Sequence, residues 1–343
     1  MERSGRFFSA SGSGIYCELC PAACLIPSGS FGACKVRGNT NGRSLIPFYG
    51  KVTAMACDPI EKKPLYHYCP GSQIFSVGFT GCNFCCPFCQ NSHISQSAQA
   101  PGRYMPPEEL VRAVLKDGSQ AIAYTYSEPL VHIEYLLDCM TQTRRHGIAN
   151  VLVTNGCINK AAAAEVLSLT DAANIDLKCF CADTYTNILG GAPCGSSLDA
   201  VLAFIRFAVD KSVHAEITTL VVPGLNDSVE ELDAIAGFIA CLHESSGAPP
   251  VPWHLSAYRP EYRWNAPPTN PGFLLQMKER AGRKLPYVYT GNIQHEVNDT
   301  HCLHCRALLV RRRGYRTDIP GLASASGRYY RCVQCGTETG IRN

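Results

Sequence analysis

The chain has 343 residues, of which 46% are hydrophobic, and it carries a formal net charge of +3 with a pI near 8.0. This length and apolar content predict one large domain with small appendages. The mild positive charge gives little reason to expect nucleic acid as a partner. Twenty cysteines are the outlying figure in the composition.

The cysteines raise the question of redox compartment. No apolar segment of the kind found in secretory signals follows Met1–Arg6. No run approaches the about 18 apolar residues that a membrane-spanning helix needs. Clustered cysteines without either feature indicate metal sites in a reducing compartment rather than disulfides. We therefore expect a cytoplasmic protein that makes no membrane contact.

The first cysteine-rich segment is predicted to be a metal-binding unit over residues 1–56. Its Gly/Ser-rich start, residues 1–14, is expected to be loose, and further glycines predict a loop-rich segment without a core of its own. Four thiols lie close together in the sequence: Cys17, Cys20, Cys24 and Cys34. They predict one small metal site, with zinc as the first interpretation and an auxiliary iron–sulfur cluster as the second. Free structural cysteines are the remaining alternative.

The second cysteine group follows a short apolar run, Ile74–Phe79, that is typical of a strand. Gly78 and Gly81 end this run and begin a tight loop. Three cysteines of the loop have a C-x3-C-x2-C spacing: Cys82, Cys86 and Cys89. Three thiolates on a four-iron, four-sulfur cluster leave one iron without a protein ligand, and a small molecule can bind there.

Two other interpretations of this loop involve Cys85. Cys82 and Cys85 form one C-x2-C pair, and Cys86 and Cys89 form a second, as in zinc knuckles. Zinc sites normally separate their two knuckles by about a dozen residues or more, so one tetrahedral zinc is sterically implausible here. The spacing alone does not decide whether Cys85 or Cys86 is the second cluster ligand.

Strand and helix patterns alternate from residue 74 to residue 292. Strands are predicted near 74–79, 121–126, 150–154, 173–177, 214–222, 252–257 and 287–290. Helices are predicted near 107–117, 130–146, 159–169, 197–211, 229–244 and 272–283. This alternation predicts right-handed βαβ units and a parallel sheet. No Gly-x-Gly-x-x-Gly follows the first strand, which argues against a dinucleotide-binding fold and favours a partial (β/α) barrel.

In such a barrel, the chemistry lies where strands end and loops begin. Besides the cysteine loop, five polar segments follow successive predicted strands: Tyr126–Pro129, Thr154–Gly156, Asp176–Lys178, Pro223–Asp227 and His254–Tyr258. Together they predict a binding site on one edge of the sheet.

The last segment, residues 293–343, contains two further C-x2-C pairs: Cys302, Cys305, Cys332 and Cys335. The intervening Leu308–Val310 and Tyr329–Tyr330 can form hairpin strands, so we predict a zinc-ribbon-like module. The basic run Arg311–Arg313 with Arg316 is more typical of a solvated strand face or a partner-docking edge than of nucleic-acid binding.

The cysteine loop resembles the signature of radical S-adenosylmethionine (SAM) enzymes, whose last cysteine gap usually holds an aromatic residue, here Phe88. Three flanking segments narrow the resemblance: Asp58-Pro-Ile-Glu-Lys-Lys-Pro-Leu-Tyr-His67, Pro87-Phe-Cys-Gln-Asn91 and Ile94-Ser-Gln96. They are similar to the radical SAM member of the AmmeMemoRadiSam group, itself similar to pyruvate formate-lyase activating enzymes.

This resemblance runs along nearly the whole chain. It implies that Cys82, Cys86 and Cys89 bind a [4Fe–4S] cluster, and that Cys85 departs from the pattern at a position that is not a ligand. It also implies an α/β fold, a partial (β/α)6-type TIM barrel over residues 57–292. Cysteine-rich modules, with Zn²⁺ as the expected metal, precede and follow this radical SAM core.

The resemblance also implies six SAM contacts: Glu128, Thr154, Asn155, Asp176, Lys178 and His254. Glu128 stands where related enzymes carry a Gly-Gly-Glu-Pro-like motif that orients the SAM amino group, and a carboxylate suits an ammonium group. Thr154 and Asn155 resemble a Thr-Asn-Gly turn, Asp176 and Lys178 match an Asp-x-Lys pair, and His254 is expected to reach the adenosine.

Each of these assignments has a structural alternative. Glu128 can complement the dipole of the helix that follows it. Asp176 and Lys178 can form a buried ion pair, and His254 can be a hydrogen-bonded core histidine. Glu216 is expected to point into the same region.

The implied function is reductive cleavage of SAM to a 5′-deoxyadenosyl radical that removes hydrogen from a peptide or protein, as in glycyl-radical activation. No protein nucleophile is needed, because the cluster and SAM carry the chemistry. An external electron donor such as flavodoxin or ferredoxin is expected, and the group implies Memo-like and AMMECR-like partner proteins. The alternative is a non-catalytic multi-zinc adaptor on a barrel scaffold.

Overall fold

The computed structural model describes residues 4–97, 100–192, 196–294, 297–324 and 326–343. Its largest element is an eight-stranded sheet. The strands in chain order are β1 (Ala54–Pro59), β2 (Gln73–Gly78), β3 (Ala121–Thr125), β4 (Ala149–Thr154), β5 (Ala172–Asp176), β6 (His214–Val221), β7 (Trp253–Ala257) and β8 (Val288–Gly291).

Each strand of the sheet lies next to its neighbour in the sequence. Strands β2 to β8 are all parallel, as the alternating pattern predicts. Strand β1 pairs antiparallel with β2 and forms an edge that the sequence analysis missed. Its side chains are largely half-buried or exposed, so its sequence lacks the apolar run by which the buried strands were recognised. Among the described strand pairs, none joins β1 to β8, so the barrel is open.

Helices cover the outside of the sheet and connect its parallel strands. They are α1 (Ser92–Ser95), α2 (Pro107–Asp117), α3 (Ile133–Arg145), α4 (Lys160–Leu167), α5 (Ala182–Asn187), α6 (Ser196–Asp210), α7 (Val229–Ser246) and α8 (Pro271–Ala281). Two short 3-10 turns, Ile60–Lys62 and Pro129–His132, lie beside the strand ends. Within the described ranges, each helix is too short or too polar to span a bilayer.

The helix ends carry recognisable signals. Helix α2 begins with Pro107 in its first turn and ends at Gly118, which adopts a left-handed φ of 82°. Helix α7 begins at Ser228, whose hydroxyl accepts a hydrogen bond from the Glu231 backbone N–H at 3.1 Å. The buried faces of these helices and of the sheet form one continuous apolar core.

The N-terminal segment forms small sheets rather than a loose start. Strands Phe8–Ser11, Gly14–Cys17 and Leu25–Ile26 form one sheet, and Gly38–Thr40 pairs with Arg43–Leu45. The expectation of a loose residue 1–14 segment is therefore wrong from Phe8 onwards, because Phe8–Ser11 pairs with Gly14–Cys17. The short strand Lys51–Val52 pairs with Arg103–Tyr104.

A buried ion pair fixes the N-terminal segment to the barrel. The Arg37 guanidinium contacts both oxygens of Glu134 on α3, at 2.8 and 3.0 Å. Both side chains are almost inaccessible to solvent. Because an unpaired buried charge is costly, this pair ties the segment firmly to one helix.

The C-terminal segment contains two small sheets. One comprises Thr300–His301, Leu308–Arg313 and Arg316–Asp318, and the other Leu322–Ala323, Tyr329–Cys332 and Glu338–Arg342. The two predicted strands are thus confirmed, each in its own sheet. The division of the chain at residues 56 and 292 stays a prediction.

Arg312, the middle of the basic run, is buried rather than solvated. Its guanidinium donates hydrogen bonds to the Tyr66 carbonyl at 2.5 Å, the Asn298 carbonyl at 3.0 Å and the Thr300 hydroxyl at 2.7 Å. Its neighbours Arg311 and Arg313 are exposed. The arginine run therefore anchors the C-terminal segment to the barrel through its central member.

Candidate cluster and cofactor site

A cavity of about 370 Å³ lies at the carboxyl ends of the parallel strands. It is lined by all three predicted cluster cysteines and all six predicted SAM contacts: Cys82, Cys86, Cys89, Glu128, Thr154, Asn155, Asp176, Lys178 and His254. These residues come from the cysteine loop, from the carboxyl ends of β3, β4 and β5 with the loops that follow, and, for His254, from the beginning of β7. The strand-end prediction thus identified residues that share one cavity, except that the predicted Pro223–Asp227 segment is not part of its lining.

The cysteine loop turns at Gly81, where only glycine fits. Gly81 has a φ of 82°, and a Cβ there would lie 2.6 Å from the Cys34 carbonyl oxygen. This close contact places the loop directly against the N-terminal cysteine segment. The Phe84 N–H then points to the Cys82 sulfur at 3.4 Å, and Cys89 Sγ lies 3.2 Å from the Ser95 hydroxyl.

The structure shows which of Cys85 and Cys86 faces the cavity, a question that the sequence spacing alone does not decide. Cys86 is buried and lines the cavity, whereas Cys85 is exposed and does not line it. The Cys85 sulfur lies instead against Gly190, where a Cβ would be only 2.2 Å away. The geometry therefore favours Cys86 as the second ligand and leaves Cys85 outside the cavity.

The spacing of the sulfurs bears on the zinc interpretation of the loop. Among the described residues, one group of three or more Cys, His, Asp or Glu side chains has its ligand atoms within 4.8 Å of one another, and it is the C-terminal cysteine group. The cavity cysteines are spread more widely than that. A four-iron cube holds its thiolates farther apart than one tetrahedral ion does, so the trio suits a cluster better than a single zinc.

Burial governs the protonation of the cavity thiols. It raises the pKa of Cys86 to about 12 and that of Cys82 well above its usual value. The thiols are therefore protonated at neutral pH unless a metal binds them, and metal binding must displace their protons. Lys178 acts in the opposite direction on Cys86, because its positive charge favours the thiolate.

Glu128 is buried at the centre of the polar side of the cavity. Its carboxylate accepts hydrogen bonds from the Thr154 hydroxyl at 2.6 Å, the Asn155 N–H at 2.8 Å and the Leu130 N–H at 3.0 Å. Burial raises its pKa to about 7 despite these donors. The hydrogen bond from Leu130 caps the 3-10 turn that begins at Pro129. Glu128 therefore also fits its structural alternative, that of a carboxylate at a helix N-terminus.

Asn155 connects this carboxylate to the cysteine loop. Its side-chain N–H₂ lies 3.8 Å from Cys82 Sγ and 2.8 Å from the Asn83 side-chain oxygen. The Asn83 side chain in turn donates to the Cys157 carbonyl at 2.7 Å. The Thr-Asn-Gly turn therefore fixes both the cysteine loop and the Glu128 carboxylate.

The remaining predicted residues have partners within the protein. Lys178 and Asp176 form an ion pair at 3.0 Å, as the structural alternative anticipates, and both still line the cavity. His254 Nε2 contacts Glu216 at 2.7 Å. Glu216 is completely buried and lies behind the cavity wall rather than in it.

Thr218 is a lining residue that the sequence analysis missed. It follows Glu216 by two residues on β6, so both side chains face the inside of the barrel. Among the described residues, the buried Thr218 hydroxyl finds no hydrogen-bond partner. The two-residue alternation that assigned Glu216 to this region could have identified Thr218 too. Tyr315 also lines the cavity from the C-terminal segment, and no local pattern indicated this long-range contact.

The two outer cysteine groups differ in geometry. In the C-terminal group, Cys302 and Cys335 sulfurs are 3.7 Å apart, as are those of Cys305 and Cys332. A tetrahedral zinc with Zn–S bonds of about 2.3 Å brings its sulfurs to about this separation. The N-terminal cysteines surround a second, small cavity instead.

Comparison with known proteins bears on the family of the chain. The sequence profile of the Radical SAM superfamily matches residues 76–239. An uncharacterized protein of Methanocaldococcus jannaschii is 36% identical over 332 residues, which is 95% of each chain. The pyruvate formate-lyase-activating enzyme of Clostridium pasteurianum is 25% identical over 184 residues, covering 52% of this chain and 74% of the enzyme.

Among solved structures, a domain of pyruvate-formate lyase-activating enzyme from Bacteroides vulgatus aligns with a TM-score of 0.41 at 20% identity. The alignment covers 50% of this chain and 98% of the domain. The profile match includes the cysteine loop and strands β3 to β6, which contribute part of the cavity lining, whereas His254 and Tyr315 lie outside the matched residues. Together with the sequence similarity to activating enzymes, this match identifies the family: the chain belongs to the radical SAM superfamily and is related to pyruvate formate-lyase activating enzymes.

Proposed function

We propose that the protein cleaves SAM reductively and uses the resulting radical to remove hydrogen from a peptide or protein. The observation that carries this proposal is the sharing of one cavity by the three loop cysteines and a set of polar residues, most of them at strand ends. Membership of the radical SAM superfamily indicates an enzyme and implies a [4Fe–4S] cluster and SAM. A non-catalytic adaptor would need neither the cavity nor its polar lining.

The donor set fits both groups. The sulfurs of Cys82, Cys86 and Cys89 supply three thiolates to the cavity, and the Glu128 and Asp176 carboxylates and the Lys178 ammonium group line the same cavity. When bound, the cluster with its free iron supplies the electron that breaks a carbon–sulfur bond of SAM, giving methionine and the 5′-deoxyadenosyl radical.

The chain's own residues bind and orient SAM. Glu128 offers a buried carboxylate to the SAM ammonium group, and Thr154 and Asn155 hold that carboxylate in place. Lys178 provides the complementary positive charge for a carboxylate. The Thr218 hydroxyl is buried at the same cavity and is available for a further hydrogen bond. The surrounding barrel excludes water from the reacting atoms.

The proposed substrate class rests on the relatives, whereas the proposed reductant and partners rest on the resemblance of the cysteine loop and its flanking segments. Their name states that they activate pyruvate formate-lyase, so a peptide or protein substrate is the class we propose. The external reductant is a flavodoxin or ferredoxin, and the partners are Memo-like and AMMECR-like proteins of the AmmeMemoRadiSam group. A cytoplasmic location stays a prediction.

An anaerobic assay tests the proposal. The full chain is reconstituted with iron and sulfide, reduced with dithionite and incubated with SAM, and 5′-deoxyadenosine and methionine are quantified by chromatography. We expect both products in equal amounts. A protein that carries its full cluster but forms neither product would overturn the proposal.

Thr154→Val is expected to weaken SAM binding by about 10-fold, because a hydrogen bond to a charged group contributes about 1.5–3 kcal/mol. The variant removes one donor to Glu128 and keeps the side-chain volume nearly unchanged. Binding is measured by calorimetry on the reconstituted protein. Thr141→Val is the control, since Thr141 bonds only within α3, to the Leu137 carbonyl, and does not line the cavity. Equal affinities for the two variants would contradict the assignment of Glu128.

The C-terminal cysteine group is proposed to hold a structural zinc. Cys332→Ser is expected to lose one zinc per chain and to lower the unfolding temperature by at least about 5 °C. Zinc is counted by mass spectrometry, and unfolding is followed by calorimetry. Cys57→Ser, at an exposed thiol, is the control. An unchanged zinc count in Cys332→Ser would exclude a zinc at this position.

A further inference from the structure

Another large cavity, the lower cavity, lies at the amino ends of the barrel strands and has a volume of about 350 Å³. On the barrel side it is lined by His214, the first residue of β6, and by Val251, two residues before β7. On the other side it is lined by Tyr329 and Arg342 of the C-terminal segment. Among the described residues, the lower cavity and the SAM cavity share no lining residue, so the two are distinct.

Arg342 is the buried cation of the lower cavity, since only 8% of the residue is exposed. Its guanidinium donates hydrogen bonds to the backbone carbonyls of Asp171, at 2.9 Å, and of Ser212. Within the described parts of the chain, no carboxylate forms an ion pair with Arg342, and its Nε has no hydrogen-bond partner. Its positive charge is therefore not paired with an acid, in contrast to that of Arg37.

Two further ionisable side chains line the lower cavity. The His214 side chain is 8% exposed, and its Nε2 contacts Glu216 at 3.0 Å. Burial lowers the pKa of His214, and the charge of Arg342 adds to this effect, which places the two side chains near each other. Asp210 is exposed, so solvent screens its charge more effectively than that of a buried group. The buried part of the described lining thus carries a cation and no acid.

The rest of the lining is largely apolar, and its apolar members include Val209, Val213, Ala215, Ala248, Pro249 and Val251. The C-terminal segment packs tightly against this wall, because a Cβ at Gly340 would lie 3.1 Å from the Cβ of Pro249. Small-molecule sites typically have volumes of about 300–1,000 Å³, apolar walls and a few polar groups. A guanidinium binds carboxylate and phosphate groups well. The lower cavity therefore suits a molecule with an apolar body and one anionic group.

One carboxylate connects the lower cavity to the SAM cavity. Glu216 contacts Nε2 of His214, which lines the lower cavity, and Nε2 of His254, which lines the SAM cavity. Glu216 is itself completely buried and belongs to neither lining. A ligand that displaces the His214 ring therefore alters the hydrogen bonding of an acceptor that His254 shares.

We propose that the lower cavity binds one small organic anion, a carboxylate or a phosphate ester with an apolar body, and that Glu216 couples its occupancy to SAM binding. The anionic group contacts the Arg342 guanidinium, and the apolar body lies against the apolar walls. The binding site does not depend on the proposed function. The coupling rests on it, because SAM must bind in the SAM cavity.

Calorimetric titration of the full chain tests the binding site, with benzoate and phenyl phosphate as anionic probes and benzamide as the neutral counterpart of benzoate. We expect benzamide to bind at least about 10-fold more weakly than benzoate, because it lacks the charge that pairs with the guanidinium. Arg342→Gln is expected to weaken benzoate binding by about 10-fold for the same reason. Arg283→Gln, at an exposed arginine outside the cavity, is the control and should leave the affinity unchanged.

Ala248→Phe is a second variant, which fills part of the lower cavity and retains Arg342. It should abolish benzoate binding, so the test stands even if Arg342→Gln fails to fold. The site would be overturned by benzoate binding that is unchanged in both variants, by equal affinities for benzoate and benzamide, or by the absence of binding of either anionic probe. Binding of either anionic probe that both variants weaken supports the site, and the tighter probe identifies the preferred anionic group.

The coupling is tested by the same benzoate titration on the reconstituted protein, with and without saturating SAM. We expect SAM to change the benzoate affinity by at least about 5-fold, and this change should be absent in Ala248→Phe, which excludes direct competition in the SAM cavity. Equal benzoate affinities with and without SAM would overturn the coupling. Failure of the protein to cleave SAM would overturn the proposed function and leave the anion site standing, since the titration requires no reduction of SAM.

Discussion

Cys86→Ala is expected to lower reductive SAM cleavage by more than about 100-fold, whereas Cys85→Ala is expected to leave it unchanged. Loss of a residue that only supports a metal ligand typically costs about 10–100-fold, so loss of a ligand itself should cost more. Cys86 is buried in the cavity wall, and Cys85 is exposed against Gly190. The two adjacent cysteines thus provide a test and its control within one loop.

Iron content and 5′-deoxyadenosine formation are both measured for this pair. We expect Cys86→Ala to lose iron and product together, since two thiolates hold a cluster less firmly than three. Cys85→Ala should match the unaltered chain in both. If Cys85→Ala loses the cluster and Cys86→Ala keeps it, the loop binds through Cys82, Cys85 and Cys89, and the description of the cavity is wrong.

Much of the fold follows from local patterns because the seven parallel strands are buried on both faces. Runs such as Ala121–Thr125 are almost entirely inaccessible to solvent, so burial leaves a continuous apolar signal in the sequence. The edge strand Ala54–Pro59 carries no such signal, because half of its surface faces solvent. The basic run around Arg312 was misread for a related reason, since its carbonyl acceptors at Tyr66 and Asn298 become visible only in the folded chain.

The candidate site was predictable where chemistry depends on spacing or on strand ends. The cysteine loop and Glu128 were found in this way, and they share one cavity. The difference between Cys85 and Cys86 was not predictable from spacing, because it depends on which thiol faces inward. The contact of Asn155 with Cys82 likewise requires two loops that are far apart in the sequence to meet.

Glu216→Ala is expected to lower the free energy of unfolding by about 4 kcal/mol, about 1 kcal/mol for each of four donors that lose their acceptor. The Glu216 carboxylate accepts hydrogen bonds from the backbone N–H groups of Tyr66 and His67, at 3.0 and 2.7 Å. It also contacts Nε2 of His214 at 3.0 Å and Nε2 of His254 at 2.7 Å. The contacts of Tyr66, His67 and His254 are buried and that of His214 is partly buried, so water replaces the lost acceptor poorly.

Glu216→Gln is the matched variant, since it keeps the size of the side chain and one of the two acceptor oxygens. It is expected to lose roughly half as much stability, because its amide N–H₂ faces two donors instead of accepting from them. Unfolding is measured anaerobically in urea by the fluorescence of Trp253, which is buried beside His254 on β7. Equal stability of Glu216→Ala and the unaltered chain would show that the network contributes nothing.

The pH dependence gives this prediction a second readout. Burial lowers the pKa of His67 to about 3 and lowers that of His214 below its usual 6.5, so folding disfavours protonation of both rings. The unfolded chain binds more protons below pH 6.5, and stability falls as pH decreases, by up to about 1.4 kcal/mol per pH unit for each histidine. Because the Glu216 carboxylate raises the pKa of His214 against the effect of burial, Glu216→Ala should lose at least as much stability as the unaltered chain. The gap between the two stability curves should therefore stay constant or widen between pH 7 and about pH 5.

Below about pH 4.5 the two curves should converge. Hydrogen bonds from His214 and His254 help to hold the pKa of Glu216 well below its usual 4.5, against the opposing effect of burial. Glu216 makes its full contribution to stability above its pKa in the unfolded chain. This contribution is lost as pH falls through the pKa of Glu216 in the folded chain. A gap that narrows already between pH 7 and pH 5 would mean that Glu216 is protonated in the folded chain near neutrality. The shared acceptor would then be a neutral carboxylic acid. The prediction that a Glu216 carboxylate accepts from both histidines and from the backbone N–H groups of Tyr66 and His67 would be wrong.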